Sequence, residues 1–526
     1  MISTTVFVTL GYTDEDIRAA VINVYPIARE EILDITVIKR TLVVDERVGY
    51  KMTVGITLSP EREAGLLKMP KKFSPVTLSP LEIKKARFDT RPIIVGAGPC
   101  GIFAALMLAE AGARPILLER GEAVDDRIKT VARFNITGEL SPESNAQFGE
   151  GGAGTFSDGK LKVGSRDKYK MKVLDTFVSA GAPEEIFYSS TAHLGTDKLP
   201  NIIKKIRERI VSLGGEVIFS ARVVDLVFKC GTLASVIYEK DGDRVELGAT
   251  DVIFATGHSA RDTVSMLYSK GAPMVSRGFG IGMRVEHPRE YINSLVYGKG
   301  YDPRLETAGY HLVTHLPTGR SVYSFCMCPG GTVVAATSDL CGTVTNGMSV
   351  YERNGDNSNS ALLVSVTPAD FPSDCPLSGF ELQARIERAA YSLTGSHVAP
   401  AIRMADLLES SASLSYGSVT PSYPRGTELH TPERYLPEYV TSSLKSALLD
   451  FDDWMHGFIY PDAILTGPET RTTSPVRILR DERSFECIGL RGVFVAGEGA
   501  GYAGGIISSA TDGVRCAEAL INKYSV

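Results

Sequence analysis

The sequence predicts an α/β fold built on a dinucleotide-binding Rossmann unit, and three observations carry that prediction. Residues 92–121 run strand, glycine-rich turn, helix, strand, acid. Residues 490–513 give another strand and a glycine-rich turn that opens a helix. Between them, apolar runs at 216–226 and 251–257 read as further strands returning to the first turn.

In the first stretch Ile93–Val95 is the strand, and Gly96, Gly98 and Gly101 supply G-x-G-x-x-G, with Pro99 inside the turn. Gly96 makes the tight turn, Gly98 lets backbone approach a pyrophosphate, and Gly101 lets the helix Ile102–Ala111 pack on the strand. The helix N-terminus favours phosphate. A second strand, Pro115–Leu118, delivers Glu119, suited to a ribose hydroxyl, followed by Arg120.

The second stretch decides which dinucleotide. Val493–Ala496 reads as a strand, Gly497 and Glu498 follow it, and Gly504, Gly505 and Ile506 open a helix. In a flavin fold such an acid takes a ribityl hydroxyl, and such a helix aims its N-terminus at the pyrimidine edge of the ring, favouring negative charge there. A nicotinamide domain lacks this second element, so the expected cofactor is FAD.

Composition bounds the class. The chain has 526 residues, 43% hydrophobic and 22% charged, with a net charge of -6. That balance argues against nucleic acid as a partner, because phosphate binding needs a basic field. No apolar run approaches the ~18 residues of a membrane span. The N-terminus lacks the basic and cleavage features of a signal peptide, and eight scattered cysteines suit a reducing cytoplasm.

Residues 1–85 read as a small α+β module: Thr4–Leu10 a strand, Thr13 the cap of a helix through Val24, and Ile35–Asp45 and Tyr50–Leu58 two more strands. This βαββ order suggests a ferredoxin-like module for docking or dimerisation. Glu61–Thr90, rich in Pro and Lys, is expected to be a linker.

Asn145–Leu161 contains the spacing of a phosphate-binding Walker loop, but Leu161 stands where Ser or Thr would hold magnesium and no strand leads in. It is expected instead to be a flexible loop lining the flavin, with Gly151 and Gly152 admitting it at close range. Asp158 and Lys160 would then be polar groups near the redox centre, or else ordinary loop charges. Leu199–Leu213 reads as a helix and Glu216–Leu226 as one strand whose Val223 contacts adenine through its backbone. The small-residue turn Ala255, Thr256, Gly257 returns the chain to the cofactor, with His258 and Arg261 directly after it.

From 263 to 457 the pattern is strand-rich and irregular, without another G-x-G-x-x-G, so NAD(P)H, if it is the reductant, binds without its own Rossmann domain. His287 is an acid–base candidate, with Glu286 beside it but pointing apart on a strand. Cys326 and Cys328, with His311 and His315, lack the C-x2-C half of a zinc site, and no metal is expected. In Glu469–Arg477 two arginines among hydroxyl residues could clamp an anionic substrate or the flavin carbonyl edge; alternatively Arg471 pairs with a core acid such as Glu469.

Together NAQFGEGGAGTFSDGKL at 145–161, HLGTDKL at 193–199, ATGHSARDT at 255–263, RVEHP at 284–288, YSFCMCPGG at 323–331, TNGMS at 345–349, ETRTTSPVRI at 469–478 and AGEGAGYAGGI at 496–506 resemble a bacterial family of FAD-dependent dehydrogenases with a ferredoxin-like N-terminal module. The resemblance implies a glutathione-reductase-type FAD domain with an inserted substrate domain, and no particular substrate. Cys100, Gly280, Thr473 and Ser509 depart from the pattern, each one small residue for another. The expected domains are 1–85, the N-terminal module; 90–262, the first part of the FAD domain; 263–457, the inserted substrate domain; and 458–526, the C-terminal part of the FAD domain. The expected activity is hydride transfer between flavin N5 and a small anionic or unsaturated molecule. Asp158, Lys160, His258, His287 and Arg471 are the candidate catalytic groups. An RNA-modifying flavoprotein, a monooxygenase and a sensor are the alternatives, and the oligomeric state is open.

Overall fold

Apolar alternation makes the first strands of the computed structural model, which describes residues 1–69, 72–76, 80–161 and 167–525. β1 (Ile2–Thr9) is separated from β2 (Asp34–Val44) and β3 (Val48–Thr57) by α1 (Asp14–Val24). Thr13 and Asp16 close a capping box at the start of α1, each side chain bonding the other's backbone N–H. The segment expected to be a linker begins instead with α2 (Pro60–Leu67), capped by Ser59, and β4 (Ser74–Pro75), which pairs with β1. Leu66 and Phe73 explain the difference, because both are drawn into the module's core. The parts of that segment at 70–71 and 77–79 lie outside the described residues. The sheet order is β2-β3-β1-β4.

Residues 1–82 form one compact unit with 160–193 and 299–306. Arg40 ties these pieces together. Its N–H donates to Tyr188 O at 2.7 Å, its carbonyl accepts from Ser190 N at 2.9 Å, and its guanidinium lies 3.2 Å from Glu185 and 3.7 Å from Glu306.

The second unit comprises 83–159, 194–298 and the chain from Thr307 onward. It opens with β5 (Ile93–Val95), α3 (Pro99–Glu110), β6 (Ile116–Leu118), α4 (Val124–Thr137) and β7 (Glu216–Ile218). The strand expected over 216–226 is broken: Ser220 adopts φ +54°, and the chain leaves the parallel sheet for β8 (Arg222–Lys229), which with β9 (Thr232–Lys240) and β10 (Asp243–Gly248) forms an antiparallel sheet. It returns as β11 (Val252–Phe254), paired in parallel with β5.

Next come β12 (Met274–Ser276), β13 (Phe279–Pro288), β14 (Val313–His315), β15 (Ser321–Cys328), the hairpin β16 (Thr332–Ala335) and β17 (Thr345–Met348), and β18 (Asn357–Val366). β19 (Ala399–Arg403), β20 (Thr427–Leu429), β21 (Ile464–Glu469) and β22 (Val476–Ile478) follow. Seven of them make a sheet in the order β14-β15-β18-β13-β21-β19-β20, so β21, although beyond residue 457, pairs with β13 and β19. One face, through Ile281, Met283 and Val285, packs on the helices Ser378–Thr394 and Glu438–Trp454, each such side chain contributing about 1.5–3 kcal/mol. The region expected to be irregular thus holds two helices of 17 residues each. The alternate residues of β13, Arg284 and Glu286, are polar and fully buried.

β23 (Val493–Val495) closes the parallel sheet beside β11, giving the order β23-β11-β5-β6-β7. The helix Ile506–Lys523 then packs against α3, with Gly513 so close to the Cys100 carbonyl that a Cβ there would clash. Among the described residues no helix is long and apolar enough to cross a membrane.

Candidate functional site

The carboxyl ends of three neighbouring strands of the parallel sheet, β23, β11 and β5, lie side by side. The β5–α3 turn has almost no room for side chains. Gly96, at φ +101°, would place a Cβ 2.7 Å from Ala255 O and 3.1 Å from Thr256 Cα, and a Cβ on Gly101 would strike the Gly96 carbonyl. Gly98 differs: its φ is −75°, and the nearest atom to an added Cβ is Gly152 Cα at 3.8 Å. Its lack of a side chain is therefore not required by the fold.

The loop after α4 lies over this turn. Gly151 N donates to Ala97 O at 2.8 Å, Gly152 faces Gly98, and a Cβ on Gly154 would meet Ile506 Cγ1 at 3.2 Å and Pro99 Cγ at 3.9 Å. The loop, expected to be flexible, is instead buried and bolted down. Arg127, fully buried, donates to the carbonyls of Asn145, Gly149, Glu150 and Gly152. Burial lowers its pKa to about 10, so it remains a cation at neutral pH, and its Nη2 has no protein partner.

Glu119, 4% exposed, accepts from the backbone N–H groups of Ala97 (2.6 Å), Gly121 (2.9 Å) and Gly149 (2.9 Å). A carboxylate has about four acceptor positions, so one remains for a hydroxyl. Arg120 is engaged by the protein: it bonds Glu143 and Asp262 and covers the Phe148 ring at 4.2 Å. The chain just before Val223 runs beside this acid, since Ala221 N donates to Glu119 O and Ser220 N to Gly121 O.

At the other two strand ends, a Cβ on Gly499 would strike the Gly257 carbonyl, so the turns after β11 and β23 touch through backbone. His258 Nδ1 lies 3.4 Å from Glu498 Oε1, and His258 Nε2 is buried without a partner. Added Cβ atoms on Gly257, Gly504 and Gly505 meet nothing within 4 Å, which leaves that rim open. Asp512 Oδ2 accepts the Gly497 N–H at 2.7 Å while Arg480 grips the same carboxylate.

The other candidate catalytic residues are engaged by protein partners. Asp158, 1% exposed, is held by Arg353 at 2.6 and 3.0 Å and by Ser349 at 2.6 Å; it is a structural anchor of the loop rather than a free polar group. Lys160 begins the segment belonging to the first unit, where it bridges His193. His287 is fully buried, its Nε2 donating to Phe458 O at 2.9 Å, and burial pushes its pKa down to about 4. Glu286 accepts from Asn357 and Ser422.

Arg471 is no free clamp, and its partner is not Glu469. It pairs with Glu387 at 2.9 Å and Asp339 at 3.1 Å, and Arg261 joins both acids. Burial pushes the Glu387 carboxyl up, but Arg471 and Arg261 outweigh that and hold it well below the usual carboxylate range. Glu469 instead takes Arg284 in a two-point pair at 2.7 and 2.8 Å. Cys326 and Cys328 stand at a bulge, with Cys326 at φ +44°, so the regular-strand spacing assumed for them does not apply. Sequence reasoning missed Arg127, Arg353 and Asp512, whose partners are set by tertiary contact.

These residues fit a flavin dinucleotide. Glycine surfaces face each other across Gly98, Gly152 and Gly154, where side chains would fill the space, and Glu119 keeps one acceptor position. Glu498 with the open rim at Gly504 and Gly505 stands at the second turn.

Matches to family models agree with this fit. Residues 89–131 match the family model described as FAD binding domain, and residues 278–472 match FAD-dependent protein, C-terminal domain-like. A relative from Clostridium beijerinckii, described as an uncharacterized protein, is 43% identical over 507 residues, spanning 95% of this chain and 94% of its own. Among solved structures, E. coli quinol fumarate reductase is similar at 14% identity and TM-score 0.39, covering 83% of this chain and 70% of that one. A 3-ketosteroid-delta4-(5alpha)-dehydrogenase from Rhodococcus jostii is similar at 14% identity and TM-score 0.36, covering 83% and 98%. The glycine cradle, the matched FAD domains and the relative that spans nearly the whole chain lead to one conclusion: the chain belongs to this family of FAD-dependent proteins, and FAD is its cofactor.

Proposed function

We propose that the protein is an FAD-dependent dehydrogenase or reductase that moves hydride between flavin N5 and a small anionic or unsaturated molecule. The observation that carries the proposal is the meeting of the two glycine turns at one sheet edge, with His258 and Glu498 between them. FAD bound there supplies two-electron chemistry. The chain's own residues do the rest. Gly98, Gly152 and Gly154 keep a side-chain-free cradle for the pyrophosphate, with α3 offering its N-terminus and Arg127 a cation behind the loop. Glu119 offers an acceptor to the adenosine ribose and Glu498 one to the ribityl chain. The N-terminus of helix Ile506–Lys523 favours negative charge at its end.

In the same proposal the domain is of glutathione-reductase type, the seven-stranded sheet carries the substrate side, and 1–85 is a ferredoxin-like docking or dimerisation module in a cytoplasmic enzyme. Anaerobic visible spectroscopy tests it. Bleaching of the oxidised-flavin band near ~450 nm on adding NADH or NADPH establishes a pyridine-nucleotide-driven reductase, and bleaching by a metabolite alone establishes a dehydrogenase. Flavin that dithionite bleaches but no nucleotide or metabolite does counts against an enzyme.

A further inference from the structure

Three arginines converge on Gly501 and Tyr502, in the turn between β23 and the last helix. Arg277 Nη1 and Arg477 Nε both donate to Gly501 O, the latter at 3.2 Å. The guanidiniums of Arg477 and Arg480 lie 4.9 and 3.7 Å from the centre of the Tyr502 ring. Arg480 is neutralised, because both of its terminal nitrogens reach Asp512 at 2.8 Å. Arg277 and Arg477 have no such counter-ion. Among the described residues neither has a carboxylate within ion-pair distance, and the charged neighbours that act on Arg277 are Arg477 and the Tyr502 phenol.

Arg127 and Arg425 of the same unit likewise donate to backbone carbonyls, but several of its other arginines are neutralised. Arg261, Arg284, Arg320, Arg353 and Arg471 each hold a carboxylate. Nor are the two free to swing their backbones apart: β12 pairs with β22, which sets Arg477 opposite Val275, and Arg277 N donates to Pro475 O at 2.8 Å. Two half-buried like charges are thus fixed side by side on one carbonyl, a few residues before the open rim at Gly504 and Gly505. Guanidinium pairs in that arrangement match the two-point geometry of carboxylate and phosphate oxygens.

We infer that Arg277 and Arg477 form a binding site for an oxyanion, the carboxylate or phosphate of the molecule that exchanges electrons at the neighbouring flavin site. The inference rests on the proposed function for the identity of that molecule, while anion binding itself is measurable without turnover.

The test uses the flavin-loaded protein and follows its thermal midpoint and the difference spectrum of bound flavin during titration with inorganic phosphate, succinate, or sodium chloride at matched ionic strength. Saturable changes with phosphate or succinate, absent with chloride and weakened at least ~10-fold in Arg277→Gln and in Arg477→Gln, support the site. Arg277→Lys, which keeps the charge but not the fork, is expected to fall between. Flavin content equal to that of the unaltered protein shows that a variant is folded. A response to NADPH that exceeds the response to NADH, and is lost in the Gln variants, assigns the anion to the nucleotide phosphate; a response to succinate assigns it to a carboxylate substrate. If neither anion exceeds chloride, or if both Gln variants respond like the unaltered protein, the inference is overturned. Bleaching of the flavin by a reductant in that same preparation would leave the proposed function standing.

Discussion

His258 Nδ1 lies 3.4 Å from Glu498 Oε1, one residue supplied by the end of β11 and the other by the end of β23. With Nδ1 on that side, Nε2 is left buried and without a protein partner. Glu498→Ala removes the acceptor proposed for the ribityl chain and is expected to weaken FAD binding by about 1.5–3 kcal/mol, the worth of a hydrogen bond to a charged group. Glu498→Gln keeps one oxygen and should lose less. Quenching of flavin fluorescence on titrating the apoprotein measures both.

The two neighbouring glycines of the first turn separate structure from binding. Gly101→Ala puts a carbon into the Gly96 carbonyl and should prevent folding of the unit. Gly98→Ala meets no protein atom closer than 3.8 Å, so the apoprotein should unfold at an unchanged temperature. Overpacking against the cofactor is then expected to cost about 1–3 kcal/mol, roughly a fivefold to 150-fold loss in affinity. Equal losses of fold in both variants would contradict the cradle.

His287 makes stability fall in mild acid. Its folded pKa is about 4 against an ordinary 6.5, so between those values the unfolded chain binds a proton that the folded chain excludes. The stabilisation is fully present above pH 6.5 and fades as pH falls toward 4, a loss of about 3 kcal/mol. His287→Gln keeps a donor for Phe458 O without titrating in that window, and its urea midpoint is expected to vary less from pH 7 to pH 4.5.

Removing residues 1–82 should not give a clean two-part separation. Arg40 supplies backbone partners to Tyr188 and Ser190 and a charge to Glu185 and Glu306. A chain starting at 83 loses all four of these contacts, so cleavage by trypsin or chymotrypsin within 167–193 is expected to speed up well before the second unit is attacked. Unchanged cleavage kinetics would show that the segment stands alone.

What the sequence disclosed was local. Gly96, Gly98, Gly101 and Glu119 declare themselves because spacing along the chain is the physical requirement, and the same holds for Gly497, Glu498 and the helix that starts at Ile506. Side chains whose meaning lies in a distant partner stayed hidden. Asp158 finds Arg353 across 195 positions and Arg471 finds Glu387 across 84. Both were open to reading as free catalytic charges for that reason. The helices Ser378–Thr394 and Glu438–Trp454 were obscured because each pairs a narrow apolar stripe with a polar face, inside a strand-dominated stretch. The break at Ser220 rests on one left-handed residue, which no apolar pattern records.

The placement of β23 at the edge, next to β11, bears on how the protein is made. β5 and β11 emerge from the ribosome long before Val493–Val495, and until then the outer edge of β11 has no strand to cover it. The nascent chain thus carries an open β-edge and half a cofactor site from Phe254 to Val493 of its synthesis, a state prone to aggregation. A message cut short even thirty residues before the last helix yields a product that holds the complete G-x-G-x-x-G turn yet lacks both β23 and Glu498.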